Sequence, residues 1–172
     1  MKTYIILLRG VNVGGKNLVP MNALKSLLAA AGFEQVKTYI QSGNIVLLSD
    51  SDPEAEITRL IQAEFGFTPQ VLLLDNHEFT TCVANNPYQA FAGKSVHFYF
   101  CKTQPQINEE KLNGLISATE SYQLAEKVFY LHAPDGIGRS KLVANIEACL
   151  GVAATGRNLN TVNKLVDMVQ TS

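Results

Sequence analysis

The apolar positions at the start of the chain predict a strand, a loop and a helix. Residues 4–8 form a continuous apolar run, which is typical of a central strand, and the glycine-rich stretch 10–16 ends it. Pro20 stands where a first helical residue would sit. Apolar residues then recur at helical spacing; they are Met21, Leu24, Leu27, Leu28 and Ala31. Gly32 indicates where that helix ends.

The next stretch predicts a hairpin, a second helix and a fourth strand. Residues 36–40 and 45–48 flank a tight polar turn at 41–44 and are typical of paired strands. Asp52 is placed to cap the second helix, whose buried stripe comprises Ile57, Leu60, Ile61 and Phe65. Residues 71–74 predict the fourth strand. The order β-α-β-β-α-β is that of the split β-α-β or ferredoxin-like arrangement.

The second half of the chain has a less regular pattern. It predicts a helix, a strand, a helix, a strand and two closing helices, at 76–84, 96–100, 108–119, 128–131, 139–150 and 160–170. We interpret residues 76–172 as a second α+β subdomain packed closely on a first subdomain, 1–75. The second half has room for a rearranged copy of the first unit, although no internal sequence repeat establishes one.

Composition places the chain among globular proteins. Hydrophobic residues make up 47% and charged residues 17%, a balance that excludes disorder. The formal net charge is −1, so a strongly cationic surface for nucleic acid is absent in bulk, although local basic clusters are compatible with it.

The first apolar run is shorter than a signal-peptide core, and no stretch approaches the ~18 residues of a membrane span. We expect a cytoplasmic protein without membrane attachment.

The cysteines and histidines predict no metal site. The cysteines are odd in number and widely spaced, which favours small buried apolar residues in a reducing compartment; they are Cys82, Cys101 and Cys149. The histidines are equally scattered, and structural or surface positions are expected for them; they are His77, His97 and His132.

Four segments concentrate glycine, asparagine and basic residues beyond what packing requires. The residues in them that we predict to bind a ligand are Arg9, Asn12, Gly14, Gly15, Lys16, Gln41, Ser42, Asn44, Arg139, Ser140, Lys141, Arg157 and Asn158. Their cations suit phosphate or carboxylate, and glycine loops let a backbone approach closely. The same residue types also fit turns and helix caps. Ser-Gly-Asn at 42–44 is strong turn chemistry, and Asn160 is expected to cap the last helix.

Four ordered motifs span nearly the whole chain: LLRGVNVGGKN (7–17), YIQSGN (39–44), GIGRSKL (136–142) and TGRNLNTVNKL (155–165). They resemble those of the bacterial family catalogued as domain of unknown function 1697. The resemblance implies an α+β fold with two ferredoxin-like (split β-α-β) subdomains, the second rearranged, and C-terminal helices. It implies no activity, substrate or catalytic residue. Leu159 stands where the family's RNxN motif is aromatic, which argues against a need for stacking there.

One segment also matches a phosphate-binding pattern. Residues 10–16 fit G-x4-G-K-[ST] except at the last position, where Asn17 lacks the hydroxyl that binds the metal. The strand and acid at 71–75 resemble those that hold Mg²⁺ in such enzymes. The helix is predicted to begin near Pro20, several residues too late to hold phosphate, and the antiparallel hairpin conflicts with a parallel nucleotide-binding sheet. A P-loop phosphoryl-transfer enzyme is therefore disfavoured.

The sequence favours a binding protein for an anionic, phosphate-bearing small molecule. Its cations would converge on a cleft between the two subdomains. A nucleic-acid-binding protein is the alternative, because aromatic residues lie on predicted strands: Tyr4, Tyr39, Phe98 and Tyr99. No RNP-like signature supports that alternative, and a protein-interaction scaffold stays open. No nucleophile–base pair or metal set identifies an enzyme, so catalytic residues, cofactors and oligomeric state stay unassigned.

Overall fold

The computed structural model describes residues 1–171, which form two four-stranded antiparallel sheets and seven helices. Ser172, the last residue of the predicted second subdomain, lies outside the described residues. Contacts divide the chain into two compact units. Unit 1 comprises Met1–Thr81 together with the stretch from Asn163 onward, and unit 2 comprises Cys82–Val162. The fold class is α+β, as the sequence predicts.

Unit 1 is built on a sheet with the strand order β2-β3-β1-β4, in which every neighbouring pair is antiparallel. Its elements follow the predicted order β-α-β-β-α-β and lead into a third helix. They are β1 (Lys2–Arg9), α1 (Met21–Ala30), β2 (Glu34–Tyr39), β3 (Asn44–Ser49), α2 (Glu54–Phe65), β4 (Gln70–Asp75) and α3 (Asn76–Ala84). Strand β3 therefore lies between β1 and β2.

The central position of β1 explains its continuous apolar run. It pairs with β3 on one side and β4 on the other, and four consecutive residues, Ile5, Ile6, Leu7 and Leu8, are fully buried. One face of this sheet packs against the apolar stripes of α1 and α2, which contribute Leu24, Leu28, Ile57 and Ile61. Each such side chain stabilises the fold by about 1.5–3 kcal/mol through burial.

Helix α2 ends as its sequence predicts, while at its start the cap position is Pro53 and the predicted cap, Asp52, lies one residue earlier. The Asp52 carboxylate accepts a hydrogen bond from the Glu54 amide at 2.9 Å. Gly66 ends the helix in the left-handed conformation with φ at 80°. Pro20 lies one position earlier than expected, since it is the residue before α1 and not the first helical residue.

Unit 2 is built on a sheet with the strand order β6-β7-β5-β8, again with antiparallel neighbours throughout. Its elements are β5 (Val96–Cys101), α4 (Glu109–Leu115), β6 (Ser121–Ala125), β7 (Val128–His132), α5 (Lys141–Ala144), α6 (Ile146–Leu150) and β8 (Ala154–Asn158). Helix α7 (Leu159–Gln170) follows β8, and its residues from Asn163 onward belong to unit 1. The strand order thus repeats that of unit 1, without the rearrangement that the sequence suggested. The difference arises because the pattern of apolar residues predicts neither β6 nor β8.

Two predicted helices of unit 2 are shorter than their apolar spacing suggested. The helix predicted at 108–119 ends at Leu115, and Ile116 is extended. The helix predicted at 139–150 is interrupted at Asn145, whose side-chain amide donates to the Lys141 carbonyl at 2.8 Å. An asparagine that bonds the backbone locally competes with helical hydrogen bonding, which explains the break.

The predicted cap of the last helix is wrong by two residues. Helix α7 begins at Leu159, and the Asn158 side-chain oxygen accepts a hydrogen bond from the Thr161 amide at 2.9 Å. Asn158, and not Asn160, therefore caps the helix.

Candidate functional site

The glycine-rich loop of unit 1 contains a small hairpin at residues 12–17, here called the glycine hairpin. Val13 and Lys16 pair, and the Lys16 amide donates to the Val13 carbonyl at 3.0 Å. The two residues between them, Gly14 and Gly15, have φ values of 58° and 73°. Positive φ at both central positions is the requirement of a type I′ turn, so this pair of glycines is needed to shape the loop.

Asn12 joins the glycine hairpin to the turn of the second motif. Its side-chain amide donates to the Gln41 carbonyl at 2.8 Å and to the Val19 carbonyl at 2.9 Å. Its side-chain oxygen accepts from the Val19 amide at 2.8 Å. Two motifs that are far apart in sequence therefore meet at one end of unit 1, and Asn12 holds them together.

The turn of the second motif is fixed from within. Asn44 is fully buried, and its amide donates to the Tyr39 carbonyl and the Ser42 hydroxyl, both at 2.9 Å. The Gly43 carbonyl accepts from the Leu8 amide at 2.8 Å. Of the predicted ligand residues in this motif, Asn44 thus has a structural hydrogen-bond set, while Gln41 is exposed.

A hollow of about 390 Å³ lies where the two motifs meet; its lining is Asn12, Leu18, Pro20, Met21, Asn22 and Gln41. Large apolar side chains stand exposed in the same two segments: Val13 is 65%, Leu18 61% and Ile40 49% exposed. Residues 10–20 and 39–44 are called the loop surface below. Exposed apolar residues that share a surface with a hollow are typical of binding sites.

The sequence did not single out Leu18, Met21 or Asn22 as lining residues of this hollow. Leu18 carried the one available signal, an apolar residue inside a glycine- and asparagine-rich loop. Met21 and Asn22 belong to the first turn of α1, and only the folded position of the loop brings them to the hollow.

The two predicted cations of the first motif have different surroundings. The Arg9 guanidinium, at the end of β1, donates to the side-chain oxygen of Gln70 on β4. Lys16 is exposed, and within the described residues its ammonium group has neither a hydrogen bond nor an ion pair. Lys16 is therefore the cation of the loop surface whose charge is not matched by a neighbour.

The third motif lies at the start of α5, which is only four residues long. The Ser140 hydroxyl accepts from the Val143 amide at 3.1 Å and donates to a Glu120 carboxylate oxygen at 2.6 Å. Ser140 therefore caps α5 beside an acidic side chain, while Arg139 and Lys141 are exposed.

The fourth motif forms β8 and the start of α7. Arg157 pairs with Phe98 across the sheet, and its guanidinium donates to the Gly156 carbonyl at 2.8 Å. Burial lowers the pKa of Arg157 to about 10, so it stays charged at neutral pH. Asn158 caps α7, as described above. The expectation that the cations of both halves share one cleft stays a prediction.

The structure bears out both reasons for which the sequence disfavours a P-loop enzyme. Helix α1 begins at Met21, so the four residues 17–20 separate it from Lys16. Strand β1 is antiparallel to both of its neighbours. The acid compared with a magnesium ligand, Asp75, instead forms a capping box. It accepts from the Glu78 amide at 2.7 Å, and its own amide donates to the Glu78 carboxylate at 3.0 Å.

Most of the aromatic residues on which nucleic-acid bases would stack are buried. Tyr4, Phe98 and Tyr99 are at most 9% exposed. Tyr39 is half-buried, with the Lys164 ammonium 5.9 Å from its ring centroid. Bases cannot stack on rings inside a core, so these strands offer no open aromatic platform of the predicted kind.

Residues 1–171 contain neither a group of metal-ligating side chains nor a helix that could span a membrane. Nowhere in this range do three or more His, Cys, Asp or Glu side chains group closely enough to hold a metal ion. No helix in the range combines the length and apolar character needed to span a bilayer. Cys101 and Cys149 are buried as expected, whereas Cys82 is only half-buried. Burial raises the pKa of Cys101 to about 11.

His97, on β5, is a buried histidine that the sequence placed among ordinary structural residues. It is 7% exposed, and its Nε2 atom has no hydrogen-bond partner within the described part of the chain. Burial lowers the pKa of His97, and a hydrogen bond with the Lys94 backbone opposes this only in part. The folded state therefore holds this imidazole in its neutral form.

We expect the protein to lose stability as the pH falls below about 6.5, the ordinary pKa of histidine. The pKa of His97 is lower in the folded state than in the unfolded state, so the unfolded state takes up a proton first as the pH falls. The contribution of the neutral His97 to the free energy of unfolding is therefore fully present only above about pH 6.5. Urea unfolding of the wild type and of His97→Leu checks this. The variant should lose less stability on acidification, whereas replacing the exposed His77 by Gln should leave the wild-type dependence intact. Equal acid sensitivity in all three proteins would exclude His97 as the cause.

Comparison with known proteins identifies the fold and the family. The profile of a family described as "Protein of unknown function (DUF1697)" matches residues 1–130. The solved structure of the conserved bacterial protein SP0830 from Streptococcus pneumoniae is similar, with a TM-score of 0.69 and 24% sequence identity over 97% of this chain and 98% of that chain. This similarity shows the fold. The comparison with curated proteins finds no match.

Proposed function

Since the chain belongs to the family described as "Protein of unknown function (DUF1697)", whose description assigns no activity, we propose a function from its own residues. The protein binds a small phosphate-bearing molecule at the loop surface of unit 1. The observation that carries this proposal is the Asn12 hydrogen bond to the Gln41 carbonyl, because it joins two motifs into one surface beside a hollow.

The charge of the loop surface supports an anionic ligand. Residues 10–20 and 39–44 contain no aspartate or glutamate, and their single charged side chain is Lys16. Arg9 directly precedes the first of these segments. An exposed ammonium without a matching carboxylate is a suitable partner for a phosphate group, since charge-assisted hydrogen bonds are about twice as strong as neutral ones.

The hollow supports a ligand that has an uncharged body as well as a phosphate. Its polar lining is made of amide side chains, including Asn22 and Gln41, which donate to and accept from hydroxyl groups or base edges. Leu18 and Met21 supply apolar wall. The volume of about 390 Å³ suits a sugar phosphate or a nucleoside monophosphate.

The loop surface is already ordered by its own hydrogen bonds. Asn12 ties the glycine hairpin to the turn, and Asn44 holds the turn from within. A surface that is fixed in advance loses little conformational entropy when a ligand binds, which favours affinity. The asparagines of these motifs therefore shape the site. In this proposal Gln41, which lines the hollow, and the exposed Lys16 of the adjoining glycine hairpin contact the ligand.

Replacing Lys16 by Gln is expected to weaken phosphate binding by about tenfold or more, because a charge-assisted hydrogen bond contributes about 1.5–3 kcal/mol. Isothermal titration with AMP, glucose 6-phosphate and inorganic phosphate measures the affinity. Lys25→Gln, an exposed charge change on α1, is the matched control and should bind as the wild type does. Unchanged affinity in Lys16→Gln, or no binding of any of the three compounds to the wild type, would contradict the proposal.

A further inference from the structure

Unit 2 contains a second hollow, of about 380 Å³, that is lined by charges of both signs. It lies between the end of α4, the turn that follows it and the segment leading into α5. The charged side chains in its lining are Glu120, Asp135, Arg139 and Lys141. We infer that this hollow binds a zwitterionic small molecule of the free α-amino-acid type, independently of the phosphate site proposed for unit 1.

Hydrogen bonds fix the two acidic side chains of the hollow. One Glu120 carboxylate oxygen accepts from the Ser117 amide at 2.8 Å, and the other accepts from the Ser140 hydroxyl at 2.6 Å. The Asp135 carboxylate accepts from the Thr119 hydroxyl at 2.6 Å. Each carboxylate oxygen has two lone pairs, so both groups keep acceptor capacity for a ligand ammonium.

The two basic side chains of the hollow are not neutralised by its two acidic side chains. Arg139 and Lys141 are exposed, and their side chains make no hydrogen bond or ion pair within residues 1–171. Neither cation lies within the 4.0 Å of a carboxylate that an ion pair requires. Opposite charges thus line one hollow without contacting each other, which leaves both available to a ligand.

A ligand with a single charge fits this lining poorly. An anion drawn to Arg139 meets Glu120 and Asp135, and a cation drawn to those acids meets the two basic side chains, so each suffers like-charge repulsion. A zwitterion places its ammonium on the acids and its carboxylate on the guanidinium, which binds carboxylates through two parallel hydrogen bonds. Leu115 and Ile116 provide apolar wall for the body of the ligand.

A thermal-shift screen of the proteinogenic free L-amino acids at millimolar concentration tests this inference. At least one should raise the midpoint of unfolding, because a ligand that binds only the folded state stabilises it. The N-acetyl derivative of that amino acid, which lacks the ammonium, and its carboxamide, which lacks the carboxylate, should not. Each derivative removes one of the two charges on which recognition depends.

Variants assign the binding to this hollow. Arg139→Gln and Asp135→Asn should each weaken the binding of that amino acid about tenfold or more, whereas Lys127→Gln, an exposed charge change outside the hollow, should not. Lys16→Gln should also bind the amino acid normally, which separates this site from the one in unit 1. The inference is overturned if no free amino acid raises the midpoint, if the derivatives act as well as the parent, or if Arg139→Gln binds unchanged.

Discussion

Replacing Gly43 by alanine is expected to destabilise unit 1 by about 2–5 kcal/mol. Gly43 has a φ of 88°, in the left-handed region that costs an L-residue roughly 1–2 kcal/mol. An added Cβ would also lie 2.8 Å from the Leu8 Cβ and 2.9 Å from a Val11 methyl carbon, both in the buried core. Overpacking of this kind costs roughly 1–3 kcal/mol more. Urea unfolding followed by circular dichroism measures the loss.

Gly15→Ala is the matched control for this prediction. Gly15 has a similar φ of 73°, but an added Cβ would meet no atom within 4 Å. It should therefore cost only the backbone term of roughly 1–2 kcal/mol. Equal losses in the two variants would show that the contact of the turn with Leu8 and Val11 is looser than described, and that the turn is not held rigidly in the loop surface.

Replacing Phe129 by alanine is expected to destabilise unit 2 by about 3–5 kcal/mol. Phe129 is fully buried on β7. Its ring stacks on Tyr122 at a centroid distance of 5.2 Å and meets Tyr99 edge-on at 6.3 Å. The substitution removes the transfer energy of the ring, leaves a cavity in a packed core and breaks both ring contacts. Hydrogen exchange at the β5, β6 and β7 amides should accelerate together with the loss of stability.

Phe91→Ala provides the comparison for the second prediction. Phe91 is 48% exposed and stacks on His132 at 4.0 Å, outside the core cluster that holds Phe129. Its truncation should cost about 1 kcal/mol, since it loses a ring contact but creates little cavity. A Phe129→Ala loss no larger than that of Phe91→Ala would contradict the description of the unit 2 core.

The architecture of unit 1 could be predicted from sequence because each element carries its own local signal. The run at residues 4–8 reads as a central strand, and Asp52 and Gly66 mark the ends of α2. Strand β8 carries no such signal, since Ala154–Asn158 has neither an apolar run nor alternation. Its strand conformation comes from pairing with β5, which is a tertiary effect. Because β8 is not predicted from sequence, the repeat of the strand order in unit 2 is not predicted either.

The candidate sites could be predicted only in part. The glycines of the first motif form a turn, and Asn12 brings the first two motifs together. The sequence does not show which residues of these motifs shape the loops and which stay exposed. Ser140 and Asn158, both expected to bind a ligand, cap helices. The sequence does not mark Glu120 and Asp135 as lining residues, because single acidic residues in turns are typical of any solvent-exposed surface. Only folding places them in one hollow with Arg139 and Lys141.

A nitrogen-15 NMR titration of the wild-type protein with AMP and with adenosine tests the proposed phosphate site most directly. We predict saturable amide shifts with AMP that concentrate in residues 10–20 and 39–44, with much weaker shifts for adenosine because it lacks the phosphate. The same titration of Lys16→Gln should show the AMP shifts only at far higher concentration. Shifts that are confined to unit 2, scattered over the chain, or equal for AMP and adenosine would contradict the account.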